Sequence, residues 1–300
     1  MELAVSREVR EALDARRPVV ALESTVIAHG LPRPRNLETA RELERVVRDA
    51  GAVPATIAVA DGRAVVGADA ALIERLATQD GVAKVSIRDL APLLADPARV
   101  GATTVAASVE IAARAGIAVF ATGGIGGVHR YAERTFDVSA DLEAIARNPV
   151  CVVCAGAKLV LDLAKTLEVL ETLGVPVVGF ETDDFPAFYV RSSGLRLAHR
   201  ADDVAAAARI VRAQLERGAG IVLAVPVPEA AALRRDVVER TLVGALGDAD
   251  RAGITGAAVT PFLLKALGEL SEGRTLTANV ALLRRNAEVA SALARELTLA

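Results

Sequence analysis

Short runs of consecutive apolar residues alternate along this chain with longer segments in which apolar residues recur every three to four positions. A short apolar run bounded by Gly, Pro or polar residues predicts a buried strand, whereas the three-to-four spacing predicts a helix with one apolar face. The runs that predict strands are 18–25, 82–86, 117–122, 149–154, 175–180, 187–194 and 220–227. The segment 53–67 predicts a β-hairpin, because Asp61-Gly62 separates its two apolar halves.

Helices are predicted between most of these strands. Asn36 is expected to cap the helix over 37–50, and another helix is expected from Asp202 to Arg217. Three further helices, at 229–246, 260–271 and 276–297, form a helical C-terminal tail. Apolar strands that alternate with helices are typical of a largely parallel sheet covered on both faces. The predicted fold class is α/β: a three-layer α/β/α arrangement with a mixed, largely parallel sheet, in a single domain over residues 1–300.

The composition argues against several classes of function. With 35 Lys plus Arg against 38 Asp plus Glu and no basic block, the chain is not expected to bind nucleic acid through phosphate contacts. Aromatic residues make up 3% and Trp is missing, which argues against base stacking on single strands. No apolar run reaches the ~18 residues of a membrane helix, and the N-terminal segment is amphipathic rather than a signal peptide. We expect no membrane association, a cytoplasmic location and a small-molecule partner.

Polar residues stand where three of the predicted strands end. Glu23 follows the apolar residues of the first strand, Thr122 ends the run 117–122, and Lys158 follows the run that ends in CVVC. In sheets of this kind, ligands bind beyond the carboxyl ends of the strands. Glu23 is a candidate general acid, with a buried pairing to an arginine as the alternative. The sequence therefore predicts one active site at this edge of the sheet.

Lys158 stands out because only four of the 35 basic residues are lysine. We expect a helix to begin at Lys158. A helix N-terminus and an apolar shell both disfavour an ammonium group, and so favour the neutral amine. A neutral amine attacks carbonyl carbons to form a Schiff base, which the guanidinium of Arg does not do. The alternative is a structural lysine whose stem packs against the core while its head reaches water.

The segment TGGIGGVH (122–129) has four glycines in five residues. Such a loop can turn several backbone N–H groups toward one anion, but it lacks the Lys-Ser/Thr ending of a P-loop. A phosphate site and a tight turn are both open interpretations. His129 is a candidate site residue with a structural role as its alternative. Lys84, which shares a strand face with Ser86, is a further candidate for contact with a phosphate.

The segment FDVSADLEAIA (136–146) places Asp137, Ser139 and Asp141 close together. In one interpretation Ser139 caps a helix whose first turn carries the acids. In the other, one or two carboxylates and several waters hold Mg²⁺ or Mn²⁺ beside a bound phosphate. Cys151 and Cys154 are expected to be core thiols, because residues three apart on a strand point to opposite faces and no further Cys completes a zinc site.

Eight motifs follow one another along most of the chain. They are ALESTVIAHGLPRPRN, VAKVSIRDL, FATGGIGGVHR, FDVSADL, VCAGAK, GFETDDFPAFY and the C-terminal pair TPFLLKAL and LTANVALLRRNA. Together they resemble the pseudouridine-5'-phosphate glycosidase family, also called the indigoidine synthase A-like family. The resemblance runs from roughly Val5 to Ala292, without the fused sugar-kinase domain of some relatives.

The resemblance implies a reversible reaction of pseudouridine 5'-phosphate with water that gives uracil and ribose 5-phosphate. It also implies a divalent metal, usually Mn²⁺, and a homotrimer of α/β/α subunits. Motif by motif, it implies Glu23 as proton donor, Lys158 as covalent nucleophile and Asp137 as metal ligand. How Asp137 and Asp141 divide metal and substrate duties stays open. The positions that it implies for substrate contact or for the lining of the site are Lys84, Val105, Thr122, His129, Ser139, Ala140, Asp141 and Asn279.

The bond to be broken in such a substrate joins uracil C5 to ribose C1'. Protonation of the leaving group, as in an ordinary glycosidase, is a poor route because the departing atom is carbon. We expect Glu23 to assist opening of the ribose ring and Lys158 to condense at C1', after which uracil leaves and water frees the sugar.

Two other functions compete with this one. A Schiff-base aldolase acting on a sugar phosphate would also use Lys158, but such enzymes usually form eight-stranded barrels, and the chain has too few clear βα units for one. A non-catalytic binding protein for a phosphorylated nucleoside would leave Glu23 and Lys158 unexplained.

Overall fold

The computed structural model describes residues 1–254, 262–263, 268 and 273–299. The strands are β1 (Leu3–Val5), β2 (Val19–Leu22), β3 (Val53–Ala60), β4 (Arg63–Val66), β5 (Ala83–Val85), β6 (Gly101–Thr103), β7 (Val119–Ala121), β8 (Cys151–Cys154), β9 (Val177–Phe180), β10 (His199–Ala201) and β11 (Ile221–Ala224). The α-helices are α1 (Arg7–Asp14), α2 (Arg35–Asp49), α3 (Ala70–Thr78), α4 (Ile87–Leu94), α5 (Val105–Arg114), α6 (Ala132–Thr135), α7 (Ala140–Arg147), α8 (Leu163–Thr172), α9 (Val204–Glu216), α10 (Arg235–Arg251) and α11 (Arg274–Thr298). A π-helix spans Val26–Gly30, and a 3₁₀-helix spans Glu229–Ala231.

The main part of the sheet is parallel, in the order β3-β2-β7-β8-β11-β9-β10. Every residue of β2, β7, β8 and β11 is buried, which is why each of these strands is written as a continuous apolar run. Strand β3 continues past β2 and pairs antiparallel with β4 and β6, while β1 lies parallel to β4 and β5 parallel to β6. The sheet is therefore mixed but largely parallel, as predicted.

Helices pack around this sheet and complete the predicted three-layer α/β/α fold. Helix α11 lies across β2, β7 and β8 and contacts α2 and α9 at its sides. A second group of helices packs elsewhere on the sheet: α5 on β2 and β3, and α7 on β11 and against α5. Within the described part of the chain, every helix is too short or too polar to span a membrane. The helix predicted over 260–271 falls largely outside the described residues.

Two local predictions are confirmed. Strands β3 and β4 form the expected hairpin, and Asp61 and Gly62 between them have φ values of 52° and 70°, the left-handed values that a tight hairpin turn requires. Cys151 and Cys154 are fully buried free thiols on β8, and burial raises the pKa of both. They belong to the core.

Three other local predictions are wrong. Asn36 does not cap α2, which begins one residue earlier; its side-chain amide donates instead to the carbonyls of Ile27 and Ala77, at 2.8 and 2.9 Å. The run 187–194 is not a strand, because Phe188 has a φ of 59° and the chain turns there. Helix α8 begins at Leu163, after Asp162 as its N-cap, and not at Lys158.

Candidate active site

Neighbouring parallel strands bring the predicted acid and amine to one edge of the sheet. Strand β7 pairs with β2 on one side and with β8 on the other, so the carboxyl ends of the three strands lie side by side. Glu23 directly follows β2, Thr122 directly follows β7, and Lys158 lies a short turn beyond β8. Since adjacent strands are ~4.8 Å apart, the ends of β2 and β8 are separated by roughly 10 Å. The predicted acid and amine therefore lie on either side of the end of β7.

Glu23 is held in one orientation by two threonine hydroxyls. Only 8% of the residue is exposed, and its two carboxylate oxygens accept hydrogen bonds from Thr122 Oγ1 and Thr25 Oγ1. No arginine in the described part of the chain forms an ion pair with it, so the alternative of a buried arginine partner is not realised. A buried carboxyl with only hydroxyl partners keeps the capacity to exchange a proton with a ligand.

The backbone of Lys158 is part of a short parallel ladder beyond β7 and β8. Its N–H donates to the carbonyl of Ile125 at 3.1 Å, and the Ile125 N–H donates to the carbonyl of Gly156, also at 3.1 Å. Gly156 has a φ of 75°, and a Cβ there would lie 2.0 Å from the carbonyl oxygen of Pro186. The glycine thus lets the chain turn so that the half-buried Lys158 stands at the strand ends. Because α8 begins further on, its N-terminus does not act on the amine, contrary to the prediction.

Lys84 lies near Lys158. Its side chain still reaches solvent, but partial desolvation by the neighbouring protein lowers its pKa, and the charge of Lys158 lowers it further, whereas Asp141 and Glu23 raise it. Burial and the charge of Lys84 likewise lower the pKa of His29, which lies in the π-helix after β2. The site therefore combines two amines and an imidazole with two carboxylates, a mixture that suits an anionic ligand.

Asp141 links the start of α5 to the glycine loop (122–129) through two hydrogen bonds. Its Oδ1 accepts from the Ala106 N–H at the start of α5 at 2.9 Å, and its Oδ2 accepts from the Gly126 N–H at 2.7 Å. The residue is 5% exposed. Ser139 caps α7, as one interpretation predicted, by accepting from the Asp141 N–H at 3.2 Å. The run 139–141, which includes Ala140, is thus brought to Val105, the first residue of α5.

The glycine loop is not a tight turn, and three of its backbone N–H groups have partners within the protein. The N–H groups of Ile125, Gly126 and Val128 already donate to Gly156 O, Asp141 Oδ2 and Thr166 Oγ1. None of its four glycines has a positive φ, and Ile125 forms a parallel bridge with Ala157. The glycines serve close packing: a Cβ on Gly124 would lie 2.7 Å from the Phe188 ring, and one on Gly127 2.4 Å from the Thr166 hydroxyl.

His129 and Asp137 form a pair at the rim of the site. His129 Nδ1 lies 3.6 Å from Asp137 Oδ2, and the His129 N–H donates to the Asp137 carbonyl at 3.0 Å. Burial lowers the pKa of His129, and Asp137 acts in the opposite direction. Across the described residues, no three side chains of His, Cys, Asp or Glu come together as a ready-made metal centre. Asp137 is thus a single carboxylate within reach of one imidazole.

Helix α11 packs on the strand ends with two asparagines on the same face. Asn279 and Asn286 are two turns apart, and they are 9% and 1% exposed. Asn286 Nδ2 donates to the carbonyl of Thr122 at 2.7 Å. Leu282, on the same face, lies against Gly123. The structure therefore places the predicted Asn279 on the face that covers β7 and β8.

Three residues near the site were not predicted. Thr25 follows Glu23 at a spacing of two, so the EST triplet was an available signal; the chain turns into the π-helix at Thr25, which has a φ of -63° and a ψ of -28°, and the Thr25 hydroxyl donates to Glu23. His29 is one of only three histidines in the chain, and it lies in the same motif. Asn286 gave no signal, because an Asn in an amphipathic helix gives no indication of whether it is buried.

Fold and site together define the class of protein. It is an α/β enzyme in which a buried acid and a lysine amine stand beyond the carboxyl ends of neighbouring parallel strands, among further cationic groups. Comparisons with known proteins then identify the family. The sequence profile of the family described as indigoidine synthase A like protein matches residues 8–296. The chain therefore belongs to the indigoidine synthase A-like family, as the motifs implied.

Individual relatives agree with this assignment. Proteins named pseudouridine-5'-phosphate glycosidase from Myxococcus xanthus and Caldanaerobacter subterraneus are 54% and 51% identical to the chain over 98% of its length, and the matches cover 98% and 96% of those proteins. The crystal structure of the prealnumycin C-glycosynthase in complex with ribulose 5-phosphate has a TM-score of 0.93 at 45% identity, covering 100% of this chain and 98% of that one. An indigoidine synthase A-like protein from Thermotoga maritima has a TM-score of 0.89 at 35% identity, covering 99% and 97%.

Proposed function

We propose that this enzyme reversibly cleaves the carbon–carbon glycosidic bond of pseudouridine 5'-phosphate with water, giving uracil and ribose 5-phosphate. Relatives about half identical over nearly the full length are named for this activity. The observation that carries the proposal is the placement of a buried acid, Glu23, and an amine, Lys158, beyond the ends of strands that flank β7. This pair supplies the two groups that opening the sugar ring and trapping its carbonyl carbon require.

The ligand of the structural relative supports a sugar phosphate that reacts in its open form. Ribulose 5-phosphate, bound in that relative, carries its phosphate on the hydroxyl that would have to close a five-membered ring on its keto carbon. It therefore offers an open-chain carbonyl. In this chain, Lys84 lies near enough to Lys158, Asp141 and Glu23 for their charges to act on its pKa, and the start of α5 is joined to the glycine loop through Asp141, which accepts from the Ala106 and Gly126 N–H groups. A lysine and a helix N-terminus together suit the phosphate.

The proposed chemistry proceeds through bonds at C1' of the ribose. Glu23 gives a proton to the ring oxygen O4' as the O4'–C1' bond breaks, and the Nζ of Lys158 forms a bond to C1'. The proton that the alkylated nitrogen of Lys158 loses goes to uracil C5. The C1'–C5 bond then breaks, its electron pair restores the C5–C6 double bond of uracil, and the nitrogen lone pair makes C1' an imine with Lys158. Water adds to this carbon, returns a proton to Glu23, and releases ribose 5-phosphate and the free amine. The substrate, water and the two products account for all atoms.

The alternative of a Schiff-base aldolase is not supported by the fold. Such enzymes usually form closed eight-stranded barrels, whereas this sheet is open and runs from β1 to β10. An aldolase would also have no use for a pyrimidine. Release of uracil is therefore the measurement that separates the two reactions.

A direct assay tests the proposed function. The protein, supplied with Mn²⁺, is expected to release uracil from pseudouridine 5'-phosphate in amounts equal to the ribose 5-phosphate formed, both measured by chromatography. Unphosphorylated pseudouridine serves as the control and is expected to react at least about 100-fold less efficiently, because Lys84 and the start of α5 then lack their partner. If uracil and ribose 5-phosphate fail to appear in either direction of the reaction, the proposed function is wrong.

We further propose that Asp137 binds the divalent cation, Mn²⁺ or Mg²⁺. These ions keep several waters and need only one or two protein carboxylates, which fits a single, partly exposed Asp137. Asp141 is the weaker candidate, because each of its oxygens already accepts a backbone N–H and the residue is 5% exposed, which leaves less room for a hydrated ion. When bound, the cation would offset the negative charge of the substrate phosphate.

Two asparagine variants test this division of roles. Asp137→Asn is expected to weaken Mn²⁺ binding by at least about 10-fold, measured by electron paramagnetic resonance on the metal-free protein, with little change in stability. Asp141→Asn is expected to leave Mn²⁺ affinity nearly unchanged but to lower the free energy of unfolding by about 1–3 kcal/mol, because two buried N–H groups lose a charged acceptor. The reverse pattern would assign the metal to Asp141.

The homotrimer implied by the family resemblance remains a prediction, which light scattering tests. Exposed apolar side chains support burial of the rim of the site against another chain. Tyr131, Phe136 and Val138, next to the His129–Asp137 pair, are 60%, 87% and 44% exposed. Apolar groups that cluster at a surface in this way are typical of contact sites.

A further inference from the structure

The Asn286 side chain is buried yet uses only one end of its amide. The residue is 1% exposed, and its Nδ2 donates to the Thr122 carbonyl at 2.7 Å and lies 3.5 Å from the Gly123 carbonyl. Its Oδ1 has no hydrogen-bond partner within the part of the chain that the structure describes. A buried acceptor without a partner lowers stability, and a Leu would avoid this. An asparagine at position 286 is therefore explained by the hydrogen bond that its Nδ2 donates and not by its Oδ1.

The carbonyl that receives this donor belongs to the residue that orients the catalytic acid. Thr122 is 1% exposed, its N–H donates to Val153 on β8 at 3.1 Å, and its Oγ1 donates to Glu23. All three polar groups of Thr122 are thus fixed: the N–H by the sheet, the carbonyl by Asn286 and the hydroxyl by Glu23. Because β7 ends at Ala121, the sheet binds the N–H of Thr122 but not its carbonyl, which Asn286 binds instead.

The helix reaches this carbonyl because the next residue has no side chain. A Cβ on Gly123 would lie 3.3 Å from Phe188 Cε2 and 3.4 Å from the methyl groups of Leu282 and Leu283. The helix therefore rests directly on the backbone after β7. Leucine and phenylalanine side chains pack around the contact, so Asn286 faces the backbone of the site and not its ligand.

We propose that Asn286 is a positioning residue, which acts on the reaction through Thr122 and keeps Glu23 aligned with the sugar ring. This inference rests on the proposed function for its kinetic consequences, but the hydrogen-bonded chain Asn286–Thr122–Glu23 stands on the geometry alone. A displaced general acid loses rate without losing affinity, because substrate contacts such as those of Lys84 remain in place.

The kinetic test replaces the amide by a side chain of similar shape. Asn286→Leu is expected to lower kcat for uracil release by about 10–100-fold with KM changed less than about 2-fold. Gln214→Leu is the matched control, because Gln214 is also buried and its amide donates to a backbone carbonyl, that of Gly220, at 3.2 Å, away from the site. The control is expected to lose a similar amount of stability in thermal unfolding but to keep kcat.

A double-variant cycle separates a positioning role from a purely structural one. Thr122→Val removes the hydroxyl that holds Glu23, so adding Asn286→Leu to it is expected to lower kcat less than about 3-fold further. If the effects of the two substitutions on kcat multiply instead, or if Asn286→Leu alone keeps full kcat, Asn286 does not act through Thr122 and the proposal is wrong.

A spectroscopic measurement keeps the inference testable even if the proposed reaction fails. With glutamate labelled at its carboxyl carbon, the resonance of Glu23 is identified by its loss in Glu23→Gln. It is expected to shift in Asn286→Leu and to stay unchanged in Gln214→Leu. A wild-type protein without uracil release would overturn the proposed function alone, whereas an unshifted Glu23 signal in folded Asn286→Leu would overturn the role of Asn286.

Discussion

Lys158→Arg is expected to abolish uracil release, with a fall in kcat of at least about 10⁴-fold, while the protein stays folded. Arg retains the positive charge and the length of the side chain, but its guanidinium does not form the bond to C1'. The backbone of residue 158 is held by the Ile125 carbonyl and by the turn at Gly156, neither of which depends on the side chain. The substitution is therefore expected to remove the proposed nucleophile without changing the backbone of the site.

The covalent bond is measured directly by trapping. Wild-type protein incubated with ribose 5-phosphate and borohydride is expected to gain the mass of the reduced sugar-phosphate adduct, whereas Lys158→Arg gains nothing. Lys165→Arg is the matched control, because Lys165 lies only a few residues away, on the solvent side of α8, where it pairs with Glu133 at 2.8 Å. It should trap like the wild type. An adduct on Lys158→Arg, or none on a wild type that releases uracil, would remove Lys158 from the reaction.

The strands near the site were predictable from the sequence because a strand that is buried on both faces consists of an uninterrupted run of apolar residues. This holds for β2, β7, β8 and β11. Strands β1, β6 and β10, each three residues long, were missed, since so short a segment has no period of its own. The wrong strand at 187–194 has the same physical origin: Phe188 and its apolar neighbours are buried, but by turns that pack on the glycine loop and not by a sheet.

The residues of the site were predictable where an uncommon polar residue stands at the end of an apolar strand. Glu23 and Lys158 interrupt apolar runs, and a lysine is rare in this chain. Lys84 and Asp137 were candidates from their local sequence, but only the family motifs favoured a functional role for them over a place on the surface. The reason proposed for Lys158 was partly wrong, because the start of α8 depends on Asp162 as its cap and not on the end of the apolar run.

Residues that act through tertiary contacts were not predictable. Asp141 was expected to contact metal or substrate or to favour its own helix, but it binds the N–H groups of Ala106 and Gly126, which are distant in the sequence. Asn286 reaches Thr122 across 164 positions. No local pattern records such a pairing, because the two partners meet only when the helix has packed on the sheet. Of these bonds, only the one from Asn286 leads to the acid, because Thr122 in turn donates to Glu23.

Glu23→Gln is expected to lower kcat for cleavage of pseudouridine 5'-phosphate by about 10²–10⁴-fold, the usual contribution of a general acid. The amide keeps the size of the side chain and still accepts a hydrogen bond from one of its threonines, Thr122 or Thr25, but it has no proton to give to O4'. Glu44→Gln is the matched control, since Glu44 also accepts from a threonine hydroxyl, Thr56 Oγ1 at 2.7 Å, away from these strand ends. It should keep full activity.

An open-chain ligand shows which step Glu23 serves. Ribulose 5-phosphate has no ring to open, so borohydride is expected to trap it on Lys158 in Glu23→Gln about as completely as in the wild type, although the same variant hardly cleaves the nucleotide. Loss of both reactions in a folded variant would mean that Glu23 serves the attack of the amine itself and not the opening of the ring. Retention of cleavage would mean that the proton comes from another group. Only the expected split, trapping without cleavage, assigns the acid at the end of β2 to the ring oxygen and the amine beyond β8 to the carbon.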